Sequence, residues 1–444
     1  MSRENAVHLV VDETPMRVGT VRVVRVGPRK VTQAAVIERE VALSGVRDAS
    51  TFGEVQTRVA SLLGGLIDLN VFKGSQVLLD VGRGPAQLDV EVVLEEAGRL
   101  YVEQSTSVGN SEGSVSLGAK LRNIGGQATT INVDGSMSNK NALSVQASVR
   151  QPRFLDGKWP TVEAGVAKQL FIFDDTSSYQ EDSKSVFAKV LKDGHEFGWS
   201  GTWRDVLARP SASLAVREDA GASLKSAIFH NYTYENVGES ELNHVAPGYT
   251  ASARTELAGL GGNVRFLKTQ VEVARHAVVN NFFGLHLSAK CGFLASFGGD
   301  RTRVNDRLHA NMRGFAPRSI GPYDAQARDA QSLAGTGGSD TLGGDLTANV
   351  TARLSFDLPS RLLTSVGVHG HVFADAGNVV RLHGTRPSAE TLRGMARTAR
   401  VSLGAGLVIP AGMGEIEING CIAALASPRD RRRSFQLSVG GYVL

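Results

Sequence analysis

The chain has 444 residues, 42% hydrophobic, 21% charged and 6% aromatic, and its 48 Lys+Arg against 44 Asp+Glu leave a net charge of +4. This balance excludes a disordered chain, and no run approaches the roughly 18–20 apolar residues of a spanning helix, which excludes a helical membrane bundle. Glycine is raised to 50 residues while proline stays at 13, which leaves a Gly-rich β protein, soluble or barrel-forming, rather than a collagen-like or Pro-rich chain.

In chain order, residues 1–17 read as a flexible N-terminus. Its MSRENAVHLVVDETP has neither a basic segment followed by an apolar core nor an Arg-rich presequence. The expectation is a protein that stays inside the cell or enters an organelle without cleavage. Residues 18–98 read as one small α+β domain of order β-α-α-β-β. Val18–Val26 is strand-like and ends at Gly27-Pro28. A helix is expected over Thr32–Leu43, stopped by Gly45. A second is expected over Phe52–Leu69, where Val55, Val59, Leu62, Leu63 and Leu66 recur at helical spacing. Strands Gln76–Val81 and Gln87–Leu94 close the unit around a Gly82–Pro85 turn.

Over residues 99–444 a two-residue alternation replaces the helical period, sending successive side chains to opposite faces of a sheet. In one run Phe283, Leu285, Leu287, Ala289, Cys291, Phe293, Ala295 and Phe297 oppose Gly284, His286, Ser288, Lys290, Gly292 and Ser296. The same pattern recurs over 346–358, over 400–409 and in the final eleven residues. These strands run about 10–13 residues, beyond the usual 5–6 of soluble sheets. Long alternating strands joined by turns predict a mainly β fold, an antiparallel transmembrane β-barrel. The count is about sixteen strands if 195–218 is one interrupted strand. Closure follows because an edge exposed to lipid leaves backbone polar groups unpaired.

Few residues look chemical. The charge excess is too dilute for a nucleic-acid binder, and the basic cluster Arg429–Arg433 reads as a solvated hairpin tip. Cys291 and Cys421 are too few for a disulfide framework or a zinc cage. Gly109-Asn110-Ser111-Glu112-Gly113 fits a nucleophile elbow but lacks the following helix, so it reads as a hairpin turn. His369 and His371, with His383 further on, read as lumen-facing polar residues rather than metal ligands. No phosphate-binding Gly-rich motif is present. The expectation is a protein that is not an enzyme, with no catalytic residue, metal or cofactor, driven by folding or binding energy.

The loop 299–341 is too long to be a bare connection, and such loops are usually functional. It holds Met312-Arg313-Gly314-Phe315 and Ser319-Ile320-Gly321-Pro322. Glycine beside arginine permits a turn that aims the guanidinium inward. A buried arginine then needs an acceptor. Asp375, on the strand face shared with His369 and His371, offers a carboxylate.

Arg313-Gly314-Phe315, then Gly343-Gly344-Asp345, then Asp375 with Gly377 resemble the outer-membrane barrel-assembly insertase superfamily. Trp203-Arg204, Ala215-Val216-Arg217-Glu218, Ser223–Ser226, Phe266-Leu267-Lys268, Ser319–Pro322 and Ala376-Gly377-Asn378 resemble its mitochondrial branch, the core barrel of the sorting and assembly machinery. The resemblance runs from about residue 18 to the C-terminus. It implies that residues 18–98 are one polypeptide-transport-associated domain, facing the intermembrane space, and that the barrel lies in the mitochondrial outer membrane. It implies that Arg313, shaped by Gly314 and Phe315, pairs inside the barrel with Asp375 beside Gly377, supported by Gly321, Pro322, Gly343, Gly344 and Asp345. It further implies that unfolded β-barrel precursors enter by strand addition at a seam between the first and last strands. The seam residues are Tyr101, Val102, Glu103, Gln104 and Ser105 on one side and Gln436, Ser438, Gly440, Gly441 and Val443 on the other. Gly440 and Gly441 weaken the last strand. Ser438 stands where the family's precursor signal has glycine, and Gly441 where it has an apolar residue. Implied partners are metaxin-type subunits, intermembrane-space chaperones and the bilayer, with no nucleic acid. A passive channel or translocating pore of the same superfamily, and a soluble β-rich binding domain, are the alternatives.

Overall fold

The computed structural model describes residues 12–109, 112–140, 142–155, 160–238, 246–280, 282–299, 301–325, 339–382, 387–410 and 414–441. Residues 17–96 build a three-stranded sheet in which Gln87–Glu96 is central, parallel to Arg17–Val26 and antiparallel to Phe72–Val81. Helices Ala34–Ser44 and Phe52–Asp68 cover one face. Gly45 ends the first at φ +64°, a conformation glycine adopts without a Cβ penalty. Thr51 caps the second by accepting the Glu54 N–H at 3.3 Å, and the Glu54 carboxylate accepts the Ser50 N–H at 2.8 Å. Ile37, Val41, Leu62 and Leu66 bury against Val90, Val92 and Leu94.

Two strands run longer than the apolar pattern suggests. Phe72–Val81 starts four residues before Gln76, through a polar stretch where the register slips between Phe72 and Gly74. Gln87–Glu96 continues past Leu94, where Glu95 and Glu96 pair with Gly74 and Phe72, and its last residue is a buried carboxylate. Glu96 accepts the N–H groups of Val31 at 2.8 Å and Thr32 at 2.9 Å. Burial alone would raise this carboxyl; those N–H donors outweigh it and hold it below the usual glutamate range. Its stabilisation is therefore complete above the unfolded pKa near about 4.3 and is lost as pH falls through the lower folded value. Glu96→Gln should cost about 1–3 kcal/mol at neutral pH and flatten the acid response. Hydrogen exchange of the 28–36 peptide, corrected for intrinsic rates, checks both points; acid sensitivity equal to wild type would refute them.

One compact unit comprises residues 1–103 with 118–133 and 147–164. Within it Asn123 Nδ2 donates to Thr32 Oγ1 at 2.8 Å, Gln33 N–H to the Gly126 carbonyl at 2.9 Å, and Arg153 pairs with buried Glu40 at 3.2 Å.

Sixteen strands, from Leu100–Gly109 to Phe435–Gly441, form a closed barrel in which each pairs with its sequence neighbours and the last meets the first. The ladders are antiparallel wherever the register is resolved. Alternation sorts the faces: Phe283, Leu287 and Cys291 stand exposed outward, as do Val372, Ile422 and Phe435. An outer face of exposed apolar side chains on a closed sheet is the solution lipid demands. Among the described residues no helix is long and apolar enough to cross a membrane. The strand expected over 195–218 ends at Ala208, before Pro210, which cannot donate to a ladder; Leu214–Glu218 is a short helix in the connection that follows.

The inner face is not uniformly polar. Leu294 and Val206 project inward and are 1% exposed. They are covered by the long loop between Ser296 and Leu346, whose Leu308 packs on Leu294 and Phe266 and whose Val304 and Leu342 pack on Tyr179 and Val206. The loop carries two short strands, Tyr323–Ala325 and Ser339–Thr341, and bridges Leu308 to Gly344 and Ala310 to Ile320. It thus brings its own apolar core to the inner wall.

Candidate functional site

At the loop tip Gly314 adopts φ +81°, a turn a Cβ would strain and which a Cβ would also drive into Ser402 Oγ. The turn presents Arg313 to Asp375 as a fork: Nε to Oδ2 at 2.8 Å and Nη2 to Oδ1 at 2.7 Å. The Arg313 N–H adds a third bond to the same carboxylate at 3.3 Å. The guanidinium lies 3.7 Å over the Phe373 ring, two residues before Asp375 on the same face. Asp375 is 4% and Arg313 19% exposed by side chain. Two parallel charge-assisted bonds over an aromatic plane are a geometry that lysine does not reproduce. Gly377 continues that face, and a Cβ there would stand 2.7 Å from Met312 Sδ. Its missing side chain is the seat of the loop. Phe315 is buried beside Met312 and Ile320.

The other glycine-rich positions fasten the loop's return. Leu308 and Gly344 exchange N–H···O=C bonds at 2.9 Å, and the Leu342 N–H reaches the Pro322 carbonyl at 2.9 Å. Gly321 lies against Val379, and Gly343 lies against the Leu308 carbonyl. Asp345 accepts from Thr302 Oγ1 and from the Leu382 N–H, both at 3.0 Å.

Beneath the tip lies a cavity of about 490 Å³ lined by Arg313, Asp375, Arg353, Glu417, His286 and Gln436 among others. Glu417 stands 3.8 Å from Arg313 Nη1. His371 is fully buried, with Nε2 2.8 Å from Asn419 Oδ1. Among the described residues no group of three or more His, Cys, Asp or Glu is arranged to hold a metal; His383 lies outside them. The sequence did not single out Phe373, Arg353 or Glu417. Inner-face parity with Asp375 was the available signal for Phe373.

The described residues show part of the expected seam. Among the described residues the last strand meets the first through two register pairs, Ser438 with Gly109 and Val439 with Val108. It meets Gly414–Leu425, on its other side, through seven. Those two pairs lie at the far end of the first strand from Tyr101, Val102, Glu103, Gln104 and Ser105. Glu103 accepts Lys120 Nζ of the second strand at 2.9 Å, and Arg122 lies 4.9 Å over Tyr101. Gln436, expected at the seam, turns its side chain to the loop tip. It donates to the Phe315 carbonyl at 3.1 Å and accepts the Gly314 N–H at 3.3 Å. Gly440 and Gly441 pair with Glu415 and Gly414; Val443 lies outside the described residues.

The last hairpin also grips the loop by its backbone. The Arg433 N–H donates to the Gly314 carbonyl at 2.9 Å and the Ala316 N–H to the Arg431 carbonyl at 2.8 Å. Tyr323 hydroxyl bonds Asp430, which also pairs with Arg400 at 3.2 Å. Arg429, Arg431 and Arg432 have exposed side chains, as a solvated tip requires, while their backbone holds the loop.

A closed sixteen-stranded barrel with an apolar outer face and a loop pinned to its inner wall is a membrane β-barrel of outer-membrane type. Residues 123–442 match the Omp85 superfamily domain, and the chain belongs to the Omp85 superfamily. It is similar to the Sorting and assembly machinery component 50 homolog of Xenopus tropicalis, 32% identical over 391 residues, 82% of this chain and 78% of that protein. It is similar to the Homo sapiens homolog at 30% over 393 residues, again 82% and 78%. Its fold is that of BamA from Haemophilus ducreyi lacking POTRA domains 1–3, with a TM-score of 0.73 at 17% identity over 95% of this chain and 84% of that one.

Proposed function

We propose that this protein is the core barrel of a sorting and assembly machinery, inserting unfolded β-barrel precursors into the mitochondrial outer membrane. Precursors add strand by strand at the seam between Leu100–Gly109 and Phe435–Gly441, with no cofactor and no catalytic step. Residues 18–98 act as the polypeptide-transport-associated domain in the intermembrane space and receive precursors from chaperones there; metaxin-type subunits attach on the other side. The observation that supports this reading is the seam, joined among the described residues by two register pairs where the last strand's other edge has seven. A weakly paired edge offers the backbone groups an incoming strand needs. The loop held to the inner wall favours this over a passive pore.

The outward residues of the first strand supply the test. Photo-crosslinkers at Val102, Gln104 and Thr106 should capture a precursor's last strand. One at Val372, also exposed on the outer face but on another strand, should not. Adducts at Val372 alone, or none at any position, would overturn the proposal.

A further inference from the structure

Trp203-Arg204, Ala215–Glu218 and Phe266–Lys268 resemble the family without an evident role, and in the fold Arg204, Glu218 and Lys268 meet the root of the long loop. Arg204 points inward from strand His195–Ala208 and grips Asp306 with two bonds, Nη1 to Oδ1 at 2.6 Å and Nη2 to Oδ2 at 3.2 Å. Both side chains are 3% exposed. Lys268, from strand Phe266–Val278, donates through Nζ to the Asp306 carbonyl at 2.9 Å. Beyond the short helix, Asp219 accepts the Val304 N–H at 2.9 Å and pairs with Arg301 at 3.0 Å.

We infer that Arg204, Asp306 and Lys268 form a second lock, and that this lock sets the position of Arg313. Arg204 stands six strands round the barrel from the strand of Asp375, so root and tip are held to different parts of the wall. Between Asp306 and Arg313 the chain is short and stitched: Leu308 exchanges two backbone bonds with Gly344, and Ala310 bridges Ile320. A shift at the root therefore reaches the tip. The two locks also differ in kind. The root pair is sealed from water on both sides, whereas Arg313 is 19% exposed. Solvent screens the tip and not the root, which makes the root the fixed anchor and the tip the contact that releases. Arg204, Asp306 and Lys268 are positioning residues: they act on the site through the loop.

Native Cys421 reports the tip. It is 5% exposed, and a Cβ on Gly314 would lie 3.5 Å from its own Cβ, so the seated tip shields it. In a Cys291→Ser background of the full chain, a water-soluble maleimide should label Cys421 slowly. Arg204→Met should speed labelling about tenfold or more, equivalent to about 1.4 kcal/mol. Arg204→Lys, which keeps the charge and loses the fork, should fall between. Lys268→Met leaves the ion pair intact and should give a smaller increase in a barrel that still shows heat-modifiable migration, which keeps the test open if Arg204→Met fails to fold. Labelling unchanged in both Arg204→Met and Lys268→Met, while Arg313→Ala raises it, would overturn the inference. The consequence for insertion rests on the function proposed above, but this assay reads loop position alone, so either can fail without the other.

Discussion

Arg313→Ala is expected to deplete newly assembled outer-membrane barrels while leaving import of soluble proteins intact. The substitution strands Asp375, 4% exposed, without its cation, and breaking one side of such a pair costs about 3–5 kcal/mol, mostly through the uncompensated charge left behind. The barrel itself should survive. Sixteen paired strands do not depend on the loop, and the loop keeps its backbone bonds to Arg431 and Arg433 and the Gln436 clasp. Function should suffer first: each 1.4 kcal/mol of lost tip stability reaching the working state slows assembly about tenfold. Arg313→Lys should be intermediate, since lysine keeps the charge but loses the fork and the stacking on Phe373. Arg313→Ala/Asp375→Ala should be less unstable than the sum of its parts, because no charge remains to be paired. The readout is assembly of a radiolabelled precursor, and steady-state barrel levels, in a complemented knockout. Unchanged levels with Arg313→Ala would remove the tip from the mechanism.

Much of this site is legible in the sequence for a physical reason. A barrel wall faces lipid on one side and water on the other, so its strands write their orientation into alternate residues, and Asp375 is placed inward by parity alone. Gly314 beside Arg313 announces a turn that only glycine makes easily. What the alternation hides is anything the loop does to the wall. Leu294 and Val206 break the inner polar face because the loop covers them, and no local pattern in their strands foretells a cover arriving from residues 304–308. Arg204 and Asp306 are 102 positions apart, beyond any periodicity. Gln436 has the right polarity for a seam and the right parity for the lumen, and sequence alone does not choose between them. Glu96 reads as a strand terminator until its two N–H donors are seen.

A reversible lock across the seam should stop insertion outright. Val439 and Val108 are register partners between the last and first strands. Antiparallel partners stand about 4.5–5.5 Å apart at Cα, inside the range a disulfide spans. Val108→Cys/Val439→Cys, oxidised, should therefore abolish precursor assembly, and reductant should restore it. The same residue supplies its own control. Val439 also pairs with Ile416 on the opposite side, so Ile416→Cys/Val439→Cys ties the last strand to a neighbour it has no cause to leave, and assembly should continue. The comparison separates seam opening from any injury that a disulfide does to the last strand as such. Because the Gln436 clasp fastens that strand to the loop tip, the two contacts work in one direction. Among the described residues a last strand held by the loop and by Gly414–Leu425 has its fewest register pairs with Leu100–Gly109, so on the proposed function a precursor strand entering there would displace two of them rather than seven. Full assembly by the oxidised seam variant would mean that precursors enter elsewhere on the barrel.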